Sequence, residues 1–174
     1  MTEKEANGGY AIRQLAAHEW PAYRDIRLRS LAESPEAFGS TLAAEEVRAP
    51  EAWAARLAAA VVSGQDCPLI AESGGAPVGL LWAKVDAGDP AIVNLFQMWV
   101  APECRGHGVA AALLRESVAW ARSRRALVVQ LDVTCGDTSA ARLYVREGFQ
   151  PHGAPQPRPG TALFEQTMRL ATGR

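Results

Sequence analysis

The stretch that decides the fold is MWVAPECRGHGVAAALL, Met98 to Leu114. It leaves a run of apolar and β-branched residues, meets Pro102, turns through small residues and opens into a helical pattern. Pro102 ends strand pairing because it brings no N–H and fixes its own φ. The first N–H groups of a helix have no partner inside it, and they sit at the positive end of the helix dipole. A small-residue loop leading into such a helix is therefore a ready anion site. Gly106 and Gly108 carry no Cβ, so a phosphate can come close to the backbone. Arg105 adds a planar cation suited to phosphate oxygens. The ligand chemistry that fits is a diphosphate. On the glycine pattern alone, a plain strand–turn–helix corner reads the same way.

Outward from this loop, Ala91 to Val100 reads as a long strand rich in β-branched and aromatic residues. The helix after the loop runs toward Arg122-Ser123-Arg124-Arg125, cations that suit the negative end of its dipole. Leu127 to Val133 has little polar content and reads as a strand buried on both faces. Asp137 to Glu147 is a short helix stopped at Gly148, and Phe149 to His152 and Leu163 to Leu170 read as closing strands. Upstream, Tyr10 to Leu15 is a first strand and Trp20 to Ala32 a helix. A second helix opens at Ala49-Pro50-Glu51, with Trp53, Leu57, Ala60 and Val61 as its stripe. Cys67 to Glu72 and Pro77 to Asp86 form a hairpin about Ser73-Gly74-Gly75. Strands that meander first and alternate with helices later predict a mixed α/β (α+β) sheet, and exclude a bundle or a sandwich.

The 174 residues suit one domain, here 1–174. Lys plus Arg number 18 and Asp plus Glu 19, a net charge of −1, which excludes the basic footprint of a nucleic-acid binder. No uncharged run approaches the ~20 residues of a membrane span. The opening MTEKEANGG is acidic and polar, without the apolar core of a secretion signal. Cys67, Cys104 and Cys135 are odd in number and widely spaced, matching neither a disulfide framework nor a zinc site. The expectation is a cytoplasmic chain with reduced thiols and no metal.

Three anion-loop designs compete for Arg105–Ala111. A P-loop needs G-x-x-x-x-G-K-[ST], and no such string occurs. A dinucleotide fingerprint matches Gly106-His107-Gly108-Val109-Ala110-Ala111 as G-x-G-x-x-A, with Asp132 after the next strand in the position of a ribose-binding acid. That fingerprint belongs in the first βα turn, tight against its strand. Here five residues, one of them proline, intervene between strand and glycine, and too little chain follows Asp132 to complete a doubly wound domain.

The third design rests on two blocks. Arg105-x-x-Gly108-x-Ala110 resembles the [R/Q]-x-x-G-x-[G/A] signature of the GCN5-related N-acetyltransferases (GNAT superfamily). Asp137-Thr-Ser-Ala140-Ala-Arg-Leu143-Tyr144-Val-Arg-Glu-Gly148-Phe149 resembles that superfamily's N-x-x-A-x-x-L-Y-x-x-x-G-F segment, in the right order and at the right distance. A third block, Arg27 to Gly39, is similar to one bacterial subgroup. The resemblance implies a central mixed, mostly antiparallel sheet of six to seven strands, splayed between the fourth and fifth and flanked by about four helices. It implies acetyl-CoA in the splay, held by Met98, Trp99 and Val100 along the pantetheine arm. Arg105, Gly106, His107, Gly108, Val109 and Ala110 would hold the pyrophosphate, and Asp137 stands where the superfamily usually has Asn. Asp137 can cap the following helix but cannot donate to the cofactor arm.

The resemblance further implies transfer of the acetyl group to a primary amine of a small molecule or peptide, by direct attack in a ternary complex. It also admits a homodimer. Tyr144 would protonate the departing sulfur, although Ala140, Leu143 and Tyr144 also make an ordinary core stripe. Glu36 and Phe38 mark the acceptor side, because that region closes over the substrate in the superfamily. No general base is evident: Asn94 and Gln97 are neutral, and Glu45, Glu46 and Asp86 read as solvated charges. Without a strong base, an amine of low pKa suits the site better than a lysine-like one, which is neutral only ~0.04% of the time at pH 7. Trp20, Trp53, Trp82 and Trp99 read as packing. The alternative reading is a non-catalytic acyl-CoA-binding or sensor module on the same fold.

Overall fold

The strands are β1 (Tyr10–Gln14), β2 (Asp66–Ser73), β3 (Ala76–Val85), β4 (Ile92–Val100), β5 (Val128–Thr134), β6 (Gln150–Pro151), β7 (Gln156–Pro157) and β8 (Phe164–Ala171). The helices are α1 (Trp20–Glu33), α2 (Leu42–Glu46), α3 (Pro50–Ser63), α4 (Val109–Ser123) and α5 (Ser139–Arg146). These come from a computed structural model that describes residues 9–173, so most of the polar opening segment lies outside the described residues. One sheet runs β1-β2-β3-β4-β5-β8-β6, with β7 also paired to β8. Every pairing is antiparallel except β4 with β5.

Each helix starts and stops for a local reason. Pro50 opens the first turn of α3, and Gly64, at φ 64°, ends it in the left-handed conformation that a Cβ disfavours. Tyr23, Ile26, Arg27, Ser30 and Leu31 form the buried side of α1, which packs on β3. Leu113, Leu114, Ser117, Val118 and Ala121 do the same for α4. The two helices cover opposite faces. Tyr23 of α1 stacks near Trp82, with ring centroids 5.2 Å apart. Gly79, of opposite parity on β3, lies under α4: a Cβ there would come 3.1 Å from Leu113 Cδ1. Glycine at this position is what lets α4 settle onto the sheet.

The structure differs from the sequence expectation in four places. α2 is an added helix, short enough to lack a periodic signal, with Thr41 Oγ1 accepting from Ala44 N–H at 3.2 Å. β7 is an added two-residue strand inside the proline-rich segment. α4 ends at Ser123, and Arg125 takes φ 61° just beyond it. β5 alternates instead of being buried on both faces: Val129, Leu131 and Val133 are buried, while Gln130 and Asp132 are not. Successive side chains point to opposite faces, and only the face of Val129, Leu131 and Val133 is fully covered.

Candidate active site

β4 and β5 pair only at Ile92↔Val128, Val93↔Val129 and Asn94↔Gln130. Beyond Asn94 the two strands share no register, and a gap opens in the middle of the sheet. A bulge in β4 goes with the divergence. Across β3, Trp99 faces Leu80 and Phe96 faces Trp82, so β4 carries one residue too many between these pairs. Within that interval Gln97 adopts φ 58°, a left-handed conformation that costs a non-glycine residue about 1 kcal/mol or more. Tyr23 Oη donates to Gln97 Oε1 at 3.0 Å and holds it there. Tyr23 is in turn fixed edge-on to Trp53, centroids 5.5 Å apart. Such bulges bend a strand and re-aim its groups.

The bulge leaves hydrogen-bonding groups facing the gap. Ala101 N–H donates to Val78 O at 2.8 Å, on the β3 side. N–H directions alternate along an extended strand, so Val100 and Met98 point theirs away from β3, into the gap. Val100 O is already used there, accepting from Arg105 Nε at 2.9 Å.

After β4, a single 3-10 turn at Pro102–Cys104 leads to the glycine loop. Gly106 and Gly108 have φ 79° and 84°. Their freedom is needed for this left-handed backbone, beyond the close approach it permits. Arg105 N–H is used within the turn, donating to Pro102 O at 3.3 Å. The N–H groups from Gly106 to Ala111 have no acceptor among the described residues, and the first helical bond is Ala112 N–H to Gly108 O at 3.0 Å. The set of free amides is thus shifted by one residue from Arg105–Ala110. Val109 is buried as an anchor and the His107 side chain is exposed.

The Arg105 guanidinium is a strut between α1 and β4. Its Nη2 donates to Glu33 Oε2 at 2.7 Å, and Trp99 Nε1 donates to the same oxygen at 2.8 Å. Arg105 first, then Ser34 and Trp99, hold the Glu33 carboxyl at about 2, well below the usual range. The positive charge next to the loop is therefore paired locally with Glu33, and the unpaired donors the loop presents are its amides.

The gap continues into a cavity of about 780 Å³, whose lining includes Leu95 to Met98 of β4, Gln130 to Asp132 of β5, and Tyr144. Tyr144 lies on α5 against Phe149, centroids 5.9 Å apart. Its hydroxyl has no hydrogen-bond partner among the described residues, and burial pushes its pKa up to about 12. A phenol in this state is a proton-bearing donor at any physiological pH. α5 is capped by Thr138, whose Oγ1 accepts from Ala141 N–H at 3.1 Å, and not by Asp137. Asp137 is one residue too early. Its carboxylate is 85% exposed and pairs with Arg142 at 2.7 Å.

Of the two acceptor-side residues, Phe38 lines the cavity and the Glu36 side chain is exposed. Glu36 contributes its carbonyl, which accepts from Arg158 Nη1 at 2.5 Å. Arg158 also donates to Thr134 Oγ1 at 2.9 Å and to Glu165 at 3.2 Å, tying three distant segments together at the cavity. Glu45, Glu46 and Asp86 do not line it: Glu45 is engaged by Arg48 at 3.1 Å and Arg56 at 3.6 Å. Trp53 and Trp99 are packing, whereas Trp82 reaches the cavity and donates to Asp66 at 2.8 Å. Sequence reasoning missed Arg27, Asp132 and Arg158 as lining residues. Only Arg27 had a signal, being charged yet on the same helical face as Tyr23 and Leu31. Among the described residues no His, Cys, Asp and Glu side chains cluster in a way that could hold a metal, and no helix is long and apolar enough to cross a membrane.

Comparison with known proteins agrees with this geometry. The sequence profile of the acetyltransferase (GNAT) family matches residues 20–149. The mycothiol acetyltransferase of Thermobispora bispora is 33% identical over 132 residues, which is 74% of this chain and 42% of that protein. The chain spans about two fifths of the length of such curated relatives. A GNAT-family acetyltransferase structure from Streptococcus pneumoniae superimposes with a TM-score of 0.83 at 20% identity, covering 94% of this chain and 99% of that one. A putative acetyltransferase of Salmonella typhimurium, solved with its cofactor acetyl-CoA, gives a TM-score of 0.78 at 19% identity, covering 95% of each.

Proposed function

The chain belongs to the acetyltransferase (GNAT) family, and from that premise we propose that it transfers the acetyl group of acetyl-CoA to a primary amine by direct attack in a ternary complex. One observation carries the reading: six consecutive backbone N–H groups, Gly106 to Ala111, stand free beside the unpaired half of β4. Free amides at a helix start suit a pyrophosphate. An unpaired strand edge suits an amide-bearing arm laid along it. The two adjoin in the order in which coenzyme A presents these groups, so the residues present fit that ligand.

Acetyl-CoA supplies an activated thioester. Around it, Met98 and Val100 N–H groups are the donors available to negative charge developing on the acyl oxygen, which is usually the largest catalytic contribution. Tyr144 is the donor available to the leaving sulfur. Because its pKa is pushed up to about 12, above that of a thiol, it keeps its proton and serves as a hydrogen-bond donor to the thiolate that develops as the C–S bond breaks. Of the cavity carboxylates, Asp66 and Glu165 are each paired with a cation, whereas Asp132 has none among the described residues. Asp132 is therefore the group suited to accept the amine's proton. A catalytic role for Tyr144 and Asp132 also separates this reading from a mere acyl-CoA sensor.

Thiol release from acetyl-CoA across a panel of amino acids, polyamines, aminoglycosides and peptides tests it. At least one amine should give turnover well above hydrolysis. Tight coenzyme A binding with no transfer to any of them would favour the sensor reading.

A further inference from the structure

Arg27 lies on the buried face of α1 and is only 3% exposed, yet it lines the cavity. Its Nε is sealed from solvent without a hydrogen-bond partner. Its Nη1 has one long contact, 3.5 Å to Ser30 Oγ, whose own hydrogen is given to Arg27 O at 2.7 Å. Among the described residues no carboxylate forms an ion pair with it. Glu45, the carboxylate in this neighbourhood, is already shared by Arg48 and Arg56. The guanidinium stacks on Phe38, 4.6 Å from the ring centroid. Stacking orients the cation without neutralising it.

A buried charge without an opposite charge is a costly thing to keep, and an apolar side chain would complete the stripe of Tyr23, Ile26 and Leu31. Its position gives it a use. Tyr23 is one turn earlier on α1 and holds the Gln97 bulge, so Arg27 lies about 6 Å further along the same face of the helix, and Gln97 lines the same cavity. Arg56 and Arg158 line the same cavity but are paired with Glu45 and Glu165, which leaves Arg27 as the guanidinium there without a carboxylate among the described residues. A planar guanidinium matches the two oxygens of a carboxylate, and the aromatic rings of Phe38, Trp82 and Phe96 nearby suit an apolar body.

We propose that Arg27 is the receptor for a carboxylate on the acceptor, so that the substrate class is amines that are also acids, such as amino acids or short peptides with a free C-terminus. This rests on the acetyltransferase reading and narrows it. The amine lies toward the β4 gap and the carboxylate toward α1, with Phe38 closing over the stacked guanidinium.

The test uses reaction products, which bind without turnover. Calorimetry on the full chain saturated with coenzyme A compares N-acetyl-L-phenylalanine and N-acetyl-L-leucine with their C-terminal amides. The acids should bind at least about tenfold more tightly than the amides, the scale of a charge-assisted hydrogen bond. Arg27→Met should erase that preference while leaving coenzyme A affinity unchanged, and Arg27→Lys should restore part of it. Equal binding of acid and amide, no binding of either, or a preference that survives Arg27→Met overturns the inference. Amines lacking a carboxylate, such as amino-acid amides, acetylated as fast as the corresponding acids would overturn it while leaving the transfer reading intact. Arg27-dependent binding of acids with no thiol release from any amine would do the reverse.

Discussion

The two sides of the gap between β4 and β5 are built from different material. The side facing the glycine loop is main chain: free amides of Gly106 to Ala111, and the Met98 and Val100 N–H groups, which alternate away from β3. The side facing α1 is side chain: Arg27, Phe38, Trp82, Asp132 and Arg158, drawn from five separate segments. Backbone amides are groups every residue carries, so under the proposed reading side-chain changes would leave a surface for a diphosphate and an amide arm largely intact. The opposite wall can be rebuilt residue by residue without disturbing the first.

The sharpest way to break the comparison is to put a charge into the backbone side. Gly108→Asp places a carboxylate beside the loop at φ 84°, and calorimetry should show coenzyme A affinity falling by at least about a hundredfold. Gly108→Asn, which tolerates left-handed backbone and carries no charge, should lose much less. If the two variants bind alike, the loop does not hold an anion. A smaller effect is expected where the two sides meet. Tyr144→Phe should lower kcat by about 10²-fold with coenzyme A affinity nearly unchanged, and steady-state kinetics showing only a few-fold loss would remove the hydroxyl from the chemistry.

The smallest effect concerns the strut joining the two sides. Glu33 is held at about 2, against an ordinary 4.5, mainly by Arg105. A lowered carboxylate contributes stability above its unfolded pKa and loses it as pH falls toward its folded one. Glu33→Gln should therefore melt slightly below the parent at neutral pH, and the two melting temperatures should converge as pH drops from about 4.5 toward 2. A constant difference across that window would show that the ion pair adds no stability.

The same division governs what could be read from the sequence. The strand, glycine loop and helix are contiguous, so their order was legible in the sequence, while the choice of an anion site over a plain corner came from the resemblance of two blocks together. Tyr144 was legible because Leu143, Gly148 and Phe149 flank it in a recognisable block. Arg158 was not, because its place depends on the Glu36 carbonyl and Thr134, groups far away along the chain. In the sequence Asp132 reads only as an acid in the position of a ribose contact, and its place on the cavity wall depends on β5 parting from β4 after Gln130. The side chain of Arg105 was expected over a phosphate, and only the tertiary packing of α1 on β4 reveals Glu33 as its partner. The cap of α5 fell to Thr138 over Asp137 by one residue, a distinction set by backbone angles that composition does not encode.

In the proposed function, the free amides of Gly106 to Ala111 grip the pyrophosphate of coenzyme A. Following backbone amide resonances of the isotope-labelled chain during a coenzyme A titration tests it most directly. The account expects the largest shifts at Gly106 to Ala111, with Met98 and Val100 next. Shifts concentrated elsewhere, with those amides unmoved at saturation, would contradict it.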